Sequence, residues 1–424
     1  MKRSLIAGMI LMLAVAGITF GGGQGEAAGD QQTIIVTSWR TEDIDRMNRI
    51  HEVFMEQNPD IIVEFQPIKD TEYDAQLKSS LETGVAADVM FLRSFDPGRQ
   101  IWDTGKLLPL EDVVPELSDF PSSARGAWSA EDGTVYAVPF VGVTHGVYYQ
   151  KDVFDEYGLT PPTTWDDFIA VAETLEANGE TVFAQGTKEG WPLYEVIFSG
   201  LGANFYGGES ARQALMAGEL KLTDEQFVRA FEKMNELKPY FPQGYEGIDY
   251  VSMQQMFGTG QAAMFIGGSW EIGIFEDLGS SEEEIGWFAP PVENEGDQLS
   301  YCFHVDAGIG VNKDSENLEA AKRYIAWTAT PEFAQLFMEE LPGFFAYTPG
   351  QYELTNSLAN EMIAAVDGAD VTIRTVWEDM SAQSPSGNTL MWEALTDMYN
   401  GYKTPQEAAA HVQKGLETWY EPMM

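Results

Sequence analysis

The chain is short of cysteine, of histidine and above all of positive charge. Cys302 is the one cysteine in 424 residues, so no intramolecular disulfide can form and no cysteine cluster can hold a metal. The four histidines, His51, His145, His304 and His411, are scattered, with no pair at metal-ligand spacing. Lys and Arg number 24 against 67 Asp and Glu, a formal net charge of −43. Electrostatic attraction to nucleic acid or to an anionic membrane is thereby excluded. Catalytic signatures are missing too: there is no Gly-x-Ser-x-Gly elbow and no phosphate-binding P-loop. No cofactor, metal or catalytic group is expected.

What the chain does have is a 44% hydrophobic content over a length that suits two or perhaps three compact domains. It opens on Met1-Lys2-Arg3 and then carries no charge from Ser4 to Gly25, with the most apolar stretch at Leu5–Ala16. That is a basic region followed by an apolar core of signal-peptide length, and small residues offer cleavage sites at either Ala14-Val15-Ala16 or Gly25-Glu26-Ala27-Ala28. The core falls short of the roughly 20 residues needed to span a bilayer. No cysteine lies near the cleavage region, so the thioether anchor of a lipoprotein cannot be built. A signal peptide over 1–28 and a free protein, periplasmic or extracellular, are expected.

Beyond it, strands and helices alternate. Thr33–Thr37, Ile61–Phe65 and Asp88–Leu92 have the β-branched, apolar composition of buried strands. Between them, Ile44, Met47, Ile50 and Phe54 mark one helix face, and Tyr73, Leu77 and Leu81 another that stops at Gly84. Strand-helix-strand at this spacing predicts right-handed crossovers and a parallel sheet with helices on its faces. Open α/β sheets place ligands beyond the carboxyl ends of their strands. Trp39 and Arg40 follow the first strand, and Arg93, Ser94, Phe95 and Asp96 follow the third, which makes these six residues cleft candidates. Further along, Thr164, Thr330 and Thr404 stand as helix caps, the last two followed by proline at the first helical position.

Two other patterns carry little. Gly258-Thr259-Gly260-Gln261-Ala262-Ala263 is a degenerate dinucleotide fingerprint without a convincing preceding strand and reads as a tight turn. Asp166/Asp167 and Glu282–Glu284 could supply glycosidase carboxylates, but such pairs arise by chance among 67 acids.

Several phrases in collinear order resemble the extracellular solute-binding proteins of ABC importers, in the sugar-binding group of maltose-binding type (family 1). They are Leu77–Leu81 with Ala87–Phe91, Tyr149–Phe154 through Leu159, Pro162–Asp167, Gly260–Met264 with Gly268–Trp270, Asn317–Ala321 and Thr404–Ala409. The resemblance implies an α/β, type II periplasmic-binding-protein fold. Its two lobes are each a mostly parallel sheet flanked by helices, joined by hinge segments and closing on a ligand. Residues 31–142 plus 300–346 would form the N-lobe, and 143–299 plus 347–424 the C-lobe. The implied function is capture of a mono- or oligosaccharide and its delivery to membrane permease subunits by a non-enzymatic monomer. A polyamine or peptide ligand for the same fold is the alternative, since an acidic cleft could welcome cations, and a secreted carbohydrate-active enzyme is the reading from another class.

Sugar rings pack their C–H faces on aromatic rings and need carboxylates, amides or Arg for their hydroxyls. On that chemistry the resemblance adds Trp270, which matches a sugar-stacking position, and Glu189 and Trp191 in a loop lining the cleft. It further adds Thr144 and His145 at the first hinge crossing, His304 and Asp306 at the second, and Asn388 in a late loop. Each has a plainer reading as a core, capping or loop residue.

Overall fold

Residues 31–424 are described by the computed structural model; the expected signal peptide lies outside them. The first strands form where the sequence places them: β1 (Gln32–Thr37), α1 (Ile44–Gln57), β2 (Ile61–Phe65), α2 (Asp70–Thr83) and β3 (Val89–Arg93). Met47, Ile50 and Phe54 are buried on α1, and Tyr73, Leu77 and Leu81 on α2. Gly84 ends α2 at φ 76°, a left-handed conformation that glycine adopts without a Cβ penalty. Next, α3 (Asp96–Trp102) leads toward β4 (Val138–Gln150), followed by β5 (Met264–Gly268), β6 (Ile285–Phe288), β7 (Ser300–Val311), β8 (Phe345–Ala346) and β9 (Asp370–Thr372).

The strand order is β2-β1-β3-β7-β4-β5, with β6 and β8 also on β4 and β9 on β7. The parallel sheet expected from the sequence is confined to β1 with β2 and β3, and to β7 with β9. Pairings of β3 with β7 and of β4 with β5, β6, β7 and β8 are antiparallel. The sheet is therefore mixed, because the long strands β4 and β7 run back against their neighbours instead of returning through a helix.

Those two strands join the lobes. Val138–Thr144 of β4 pairs with β7, after which His145–Tyr149 pairs with β5. Likewise β7 pairs with β3 over Ala307–Val311 and with β9 over Ser300–Cys302. Strands shared in this way are buried along most of their length. Room is tight: a Cβ on Gly146 would lie 2.3 Å from the Trp287 indole nitrogen.

The expected caps form. Thr164 accepts from the Asp167 amide and Thr330 from the Phe333 amide. Thr404 accepts from the Glu407 amide at 3.2 Å while Glu407 accepts from the Thr404 amide at 2.8 Å, a reciprocal capping box on the helix Pro405–Leu416. Thr404→Ala is expected to cost about 1 kcal/mol of stability, read as a lower denaturation midpoint at unchanged m-value; an unaltered midpoint would show that the cap contributes nothing. Gly258–Ala263 is a turn between the helix Tyr250–Gly258 and β5. Asp166, Asp167, Glu283 and Glu284 are exposed, away from any cavity. The lone thiol of Cys302 is buried, and burial pushes it up to about 12.

Candidate functional site

A cavity of about 830 Å³ lies between the lobes. One wall comes from the carboxyl ends of β1 and β3, the first turn of α2, Asp306 and Phe344. The other comes from Lys188–Trp191, Glu195, Asp249–Gln255, Trp270 and the late segment holding Arg374, Trp377, Asn388 and Trp392.

Of the expected residues, Trp39, Arg40, Arg93, Glu189, Trp191, Trp270, Asp306 and Asn388 line this cavity. Arg93 places its guanidinium 4.6 Å from the Trp39 ring centre while pairing with Asp70 at 2.6 Å and Asp74 at 3.0 Å. Arg40 pairs with Asp43 at 2.7 Å and Glu42 at 3.0 Å. Trp270 donates its indole N–H to the Tyr250 hydroxyl at 2.7 Å, and Tyr250 donates to the Glu271 carboxylate. With only 6% of its surface exposed and His145 edge-on at 5.5 Å, Trp270 is held more than presented. Trp191 packs on Tyr250 at 4.4 Å and is half-buried, as is Trp392 across the cavity floor, so these two rings offer more face to a ligand. Gly190 lets Trp392 pack close against the backbone next to Trp191: a Cβ there would meet Trp392 Cβ at 2.8 Å. Asn388 lends its side-chain oxygen to the Ser381 hydroxyl at 2.9 Å.

Six expected residues do not line the cavity. Thr144 lies in the interior of β4, donating its hydroxyl to the Cys302 carbonyl at 2.9 Å, and its neighbour His145 is also fully buried. His304 is buried in β7, 3.2 Å from the Ser94 hydroxyl and 5.2 Å from the Trp377 ring. The reason is common to all three: a strand crossing between sheets is covered on both faces. Ser94 is sealed beneath that contact, and its carbonyl accepts from Trp377 Nε1 at 3.2 Å. Phe95 has φ 58°, which turns the chain away, so that Phe95 and Asp96 line a second, smaller hollow of about 450 Å³ beside Arg99.

The sequence reading missed several residues. Lys69, Asp70 and Asp74 follow β2, whose carboxyl end obeys the same rule that pointed to the β1 and β3 loops. Glu195 sits on a π-helical segment, Pro192–Phe198, a geometry common at functional sites. Arg374 pairs with Glu195 at 2.9 Å and with Asp306 at 3.4 Å, and lies 4.7 Å over the Trp377 ring. Burial lifts Glu195 to about 7, against the pull of Arg374 and Arg93. Glu271 is lifted to about 7 by burial as well, opposed by its bonds to Tyr250 and Gln254. Among the buried donors that find no acceptor within the protein, Arg374 Nε and Trp392 Nε1 belong to side chains that line the cavity. No group of acids, His or Cys suited to a metal ion occurs among the described residues, and none of their helices is long and apolar enough to cross a membrane.

Comparison with known proteins gives a consistent picture. A family model described as bacterial extracellular solute-binding protein matches residues 36–335. The chain is 24% identical over 321 residues to the multiple sugar-binding protein of Streptococcus mutans, covering 73% of this chain and 74% of that one. It is 25% identical over 361 residues to the mannitol-binding protein of Pseudomonas aeruginosa, covering 81% and 79%. With an uncharacterized ABC transporter extracellular-binding protein of Pyrococcus horikoshii it shares 26% identity over 254 residues, spanning 58% of that protein's length. Among solved structures, a chitin oligosaccharide binding protein superposes with a TM-score of 0.76 at 22% identity, covering 93% of this chain and 100% of that one. RafE in complex with raffinose gives 0.73 at 21%, covering 92% and 99%. The two-lobe fold is shared with both.

Proposed function

The chain belongs to the bacterial extracellular solute-binding proteins, and we propose that it captures a carbohydrate between its lobes and delivers it to the permease subunits of an ABC importer. The observation that carries this reading is the cavity itself, which combines tryptophan rings with carboxylates held in place by arginines. A pyranose suits such a lining: its C–H face packs on a ring and its hydroxyls donate to carboxylates. A volume of about 830 Å³ leaves room for more than one sugar ring.

The protein acts as a binder and not as an enzyme, as an exported monomer freed of its leader 1–28. The lobes divide at 31–142 plus 300–346 and 143–299 plus 347–424. The change of partners in β4 at Thr144/His145 supports the first boundary. Ligand contacts to both walls then favour the closed state that a permease recognises.

Intrinsic tryptophan fluorescence titrated with a sugar panel is expected to change saturably at 1:1 stoichiometry; silence across the panel rejects the carbohydrate. Trp191→Ala is expected to weaken binding by about 2 kcal/mol, roughly thirtyfold. Unchanged affinity in calorimetry would mean that the ring at Trp191 does not touch the sugar.

A further inference from the structure

Three times in one cavity the same arrangement recurs: an arginine held between two carboxylates, its flat face on an aromatic ring. Arg40 lies between Glu42 and Asp43, 5.2 Å over Phe344. Arg93 lies between Asp70 and Asp74 over Trp39, and Arg374 between Glu195 and Asp306 over Trp377. The two lysines at the cavity are each matched by one acid, Lys69 by Glu189 at 3.6 Å and Lys188 by Asp249 at 2.8 Å. The Arg40 and Arg93 triads each carry one surplus negative charge, the Arg374 triad carries only part of one because burial lifts Glu195 to about 7, and the lysine pairs carry none.

This bookkeeping decides what the site can accept. The guanidiniums of Arg40 and Arg93, whose in-plane donors hold two carboxylates and whose faces are covered, have little left for an anion. Each carboxylate has about four acceptor positions and keeps free lone pairs after binding one arginine. Approaching carboxylate or phosphate would meet the net negative Arg40 and Arg93 clusters in a partly water-excluded space, where charge is weakly screened. An ammonium would meet the opposite. We propose that the cleft selects among carbohydrates for amino sugars bearing a free ammonium, and rejects acidic sugars. This rests on the carbohydrate reading above.

The test uses the full mature protein and calorimetry at about pH 7. The probes are the gluco and galacto series, each as neutral sugar, 2-amino-2-deoxy sugar and uronate, offered as monosaccharides and as 1,4-linked disaccharides, with spermidine alongside. The expected order is amino sugar over its neutral counterpart by about tenfold, with no measurable uronate binding, and the amine advantage shrinking as salt rises from about 0.05 to 0.5 M. Asp74→Asn, at a side chain 56% exposed and so tolerant of change, should reduce the amine-to-neutral ratio about threefold. Neutral sugars binding as well as or better than amino sugars, or uronates binding equally, would overturn the selectivity and leave the carbohydrate reading standing. Spermidine binding with no sugar binding would reject carbohydrate and uphold the preference for cations. No binding by any probe would reject both.

Discussion

Arg374→Met is expected to be the most damaging single replacement in the cleft. The guanidinium, Glu195 and Asp306 have side-chain exposures of only 4%, 6% and 13%, so removing the cation strands two carboxylates where water cannot replace it. Breaking a buried ion pair from one side costs about 3–5 kcal/mol. For a chain of this size that corresponds to a melting point lower by about 5 °C. The loss should shrink at about pH 5, where Glu195, already lifted to about 7 by burial, takes up a proton and no longer needs its partner. Combining Arg374→Met with Glu195→Gln and Asp306→Asn should recover most of the stability, because a neutral set has no charge to strand. Sugar affinity should stay lost in both variants, since Arg374 lines the cavity and holds Glu195 and Asp306 in place there. Equal melting points for wild type and Arg374→Met would show that the triad is solvated and that its carboxylates gain nothing from the pairing.

The position of Arg374 explains why the effect should reach beyond stability. It follows β9 on the late segment, and its partner Asp306 lies in β7, one of the strands crossing between the lobes. Trp377, three residues on, donates to the Ser94 carbonyl at the end of β3. One short segment thus bonds to the crossing strand and to the opposite wall together. Arg46 on α1 makes a second bridge, pairing with Asp277 at 2.8 Å and donating to the Gly273 carbonyl at 3.0 Å.

Local patterning made the first half of the fold legible. Helix faces such as Met47–Ile50–Phe54, the stop at Gly84 and the threonine caps all depend on neighbours within a few residues, so the chain announces them. What it could not announce was strand direction. β4 reads as an apolar run whether its partner is parallel or antiparallel, and the antiparallel pairing with β7 is fixed by residues more than 150 positions away. The site divides in the same way. Trp39, Arg40 and Arg93 line the cavity because a strand end places them there. Thr144, His145 and His304 stand near the expected hinge crossings, yet all three are buried in strands covered on both faces. Arg374, Trp377 and Trp392 fall beyond residue 335, where the family match ends, and no local pattern pairs an arginine with a glutamate 179 residues earlier.

Stability against pH should carry a signature of groups that are buried in the protonation state they do not adopt in water. Glu195 and Glu271 are lifted from an ordinary 4.5 to about 7. Each therefore favours the fold at low pH and loses that contribution as pH rises from about 4.5 through 7. Three buried histidines oppose them. His51 and His145 are lowered from 6.5 to about 3 and His304 lies well below its ordinary value, all through burial. Their contribution is present above about pH 6.5 and is lost as pH falls. Between about pH 4.5 and 6.5 the unfolded chain holds three protons that the fold lacks, and the fold holds two that the unfolded chain lacks. These five groups together then make stability rise with pH by about 1.4 kcal/mol per unit. Below that window the histidines act alone, and the slope steepens to about 4 kcal/mol per unit. Glu271→Gln isolates one member of the set. Glutamine mimics the protonated acid and keeps an acceptor for Tyr250, while the Gln254 amide can turn to accept from the new NH₂. The variant should match wild type at about pH 4 and exceed it by about 3 kcal/mol at about pH 8, measured by urea denaturation across the range. A gain of the same size at both pH values would mean that the carboxyl group is not the cause. A loss at the higher pH would mean that Glu271 is ionised in the fold and held there by Tyr250, Gln254 and Arg40.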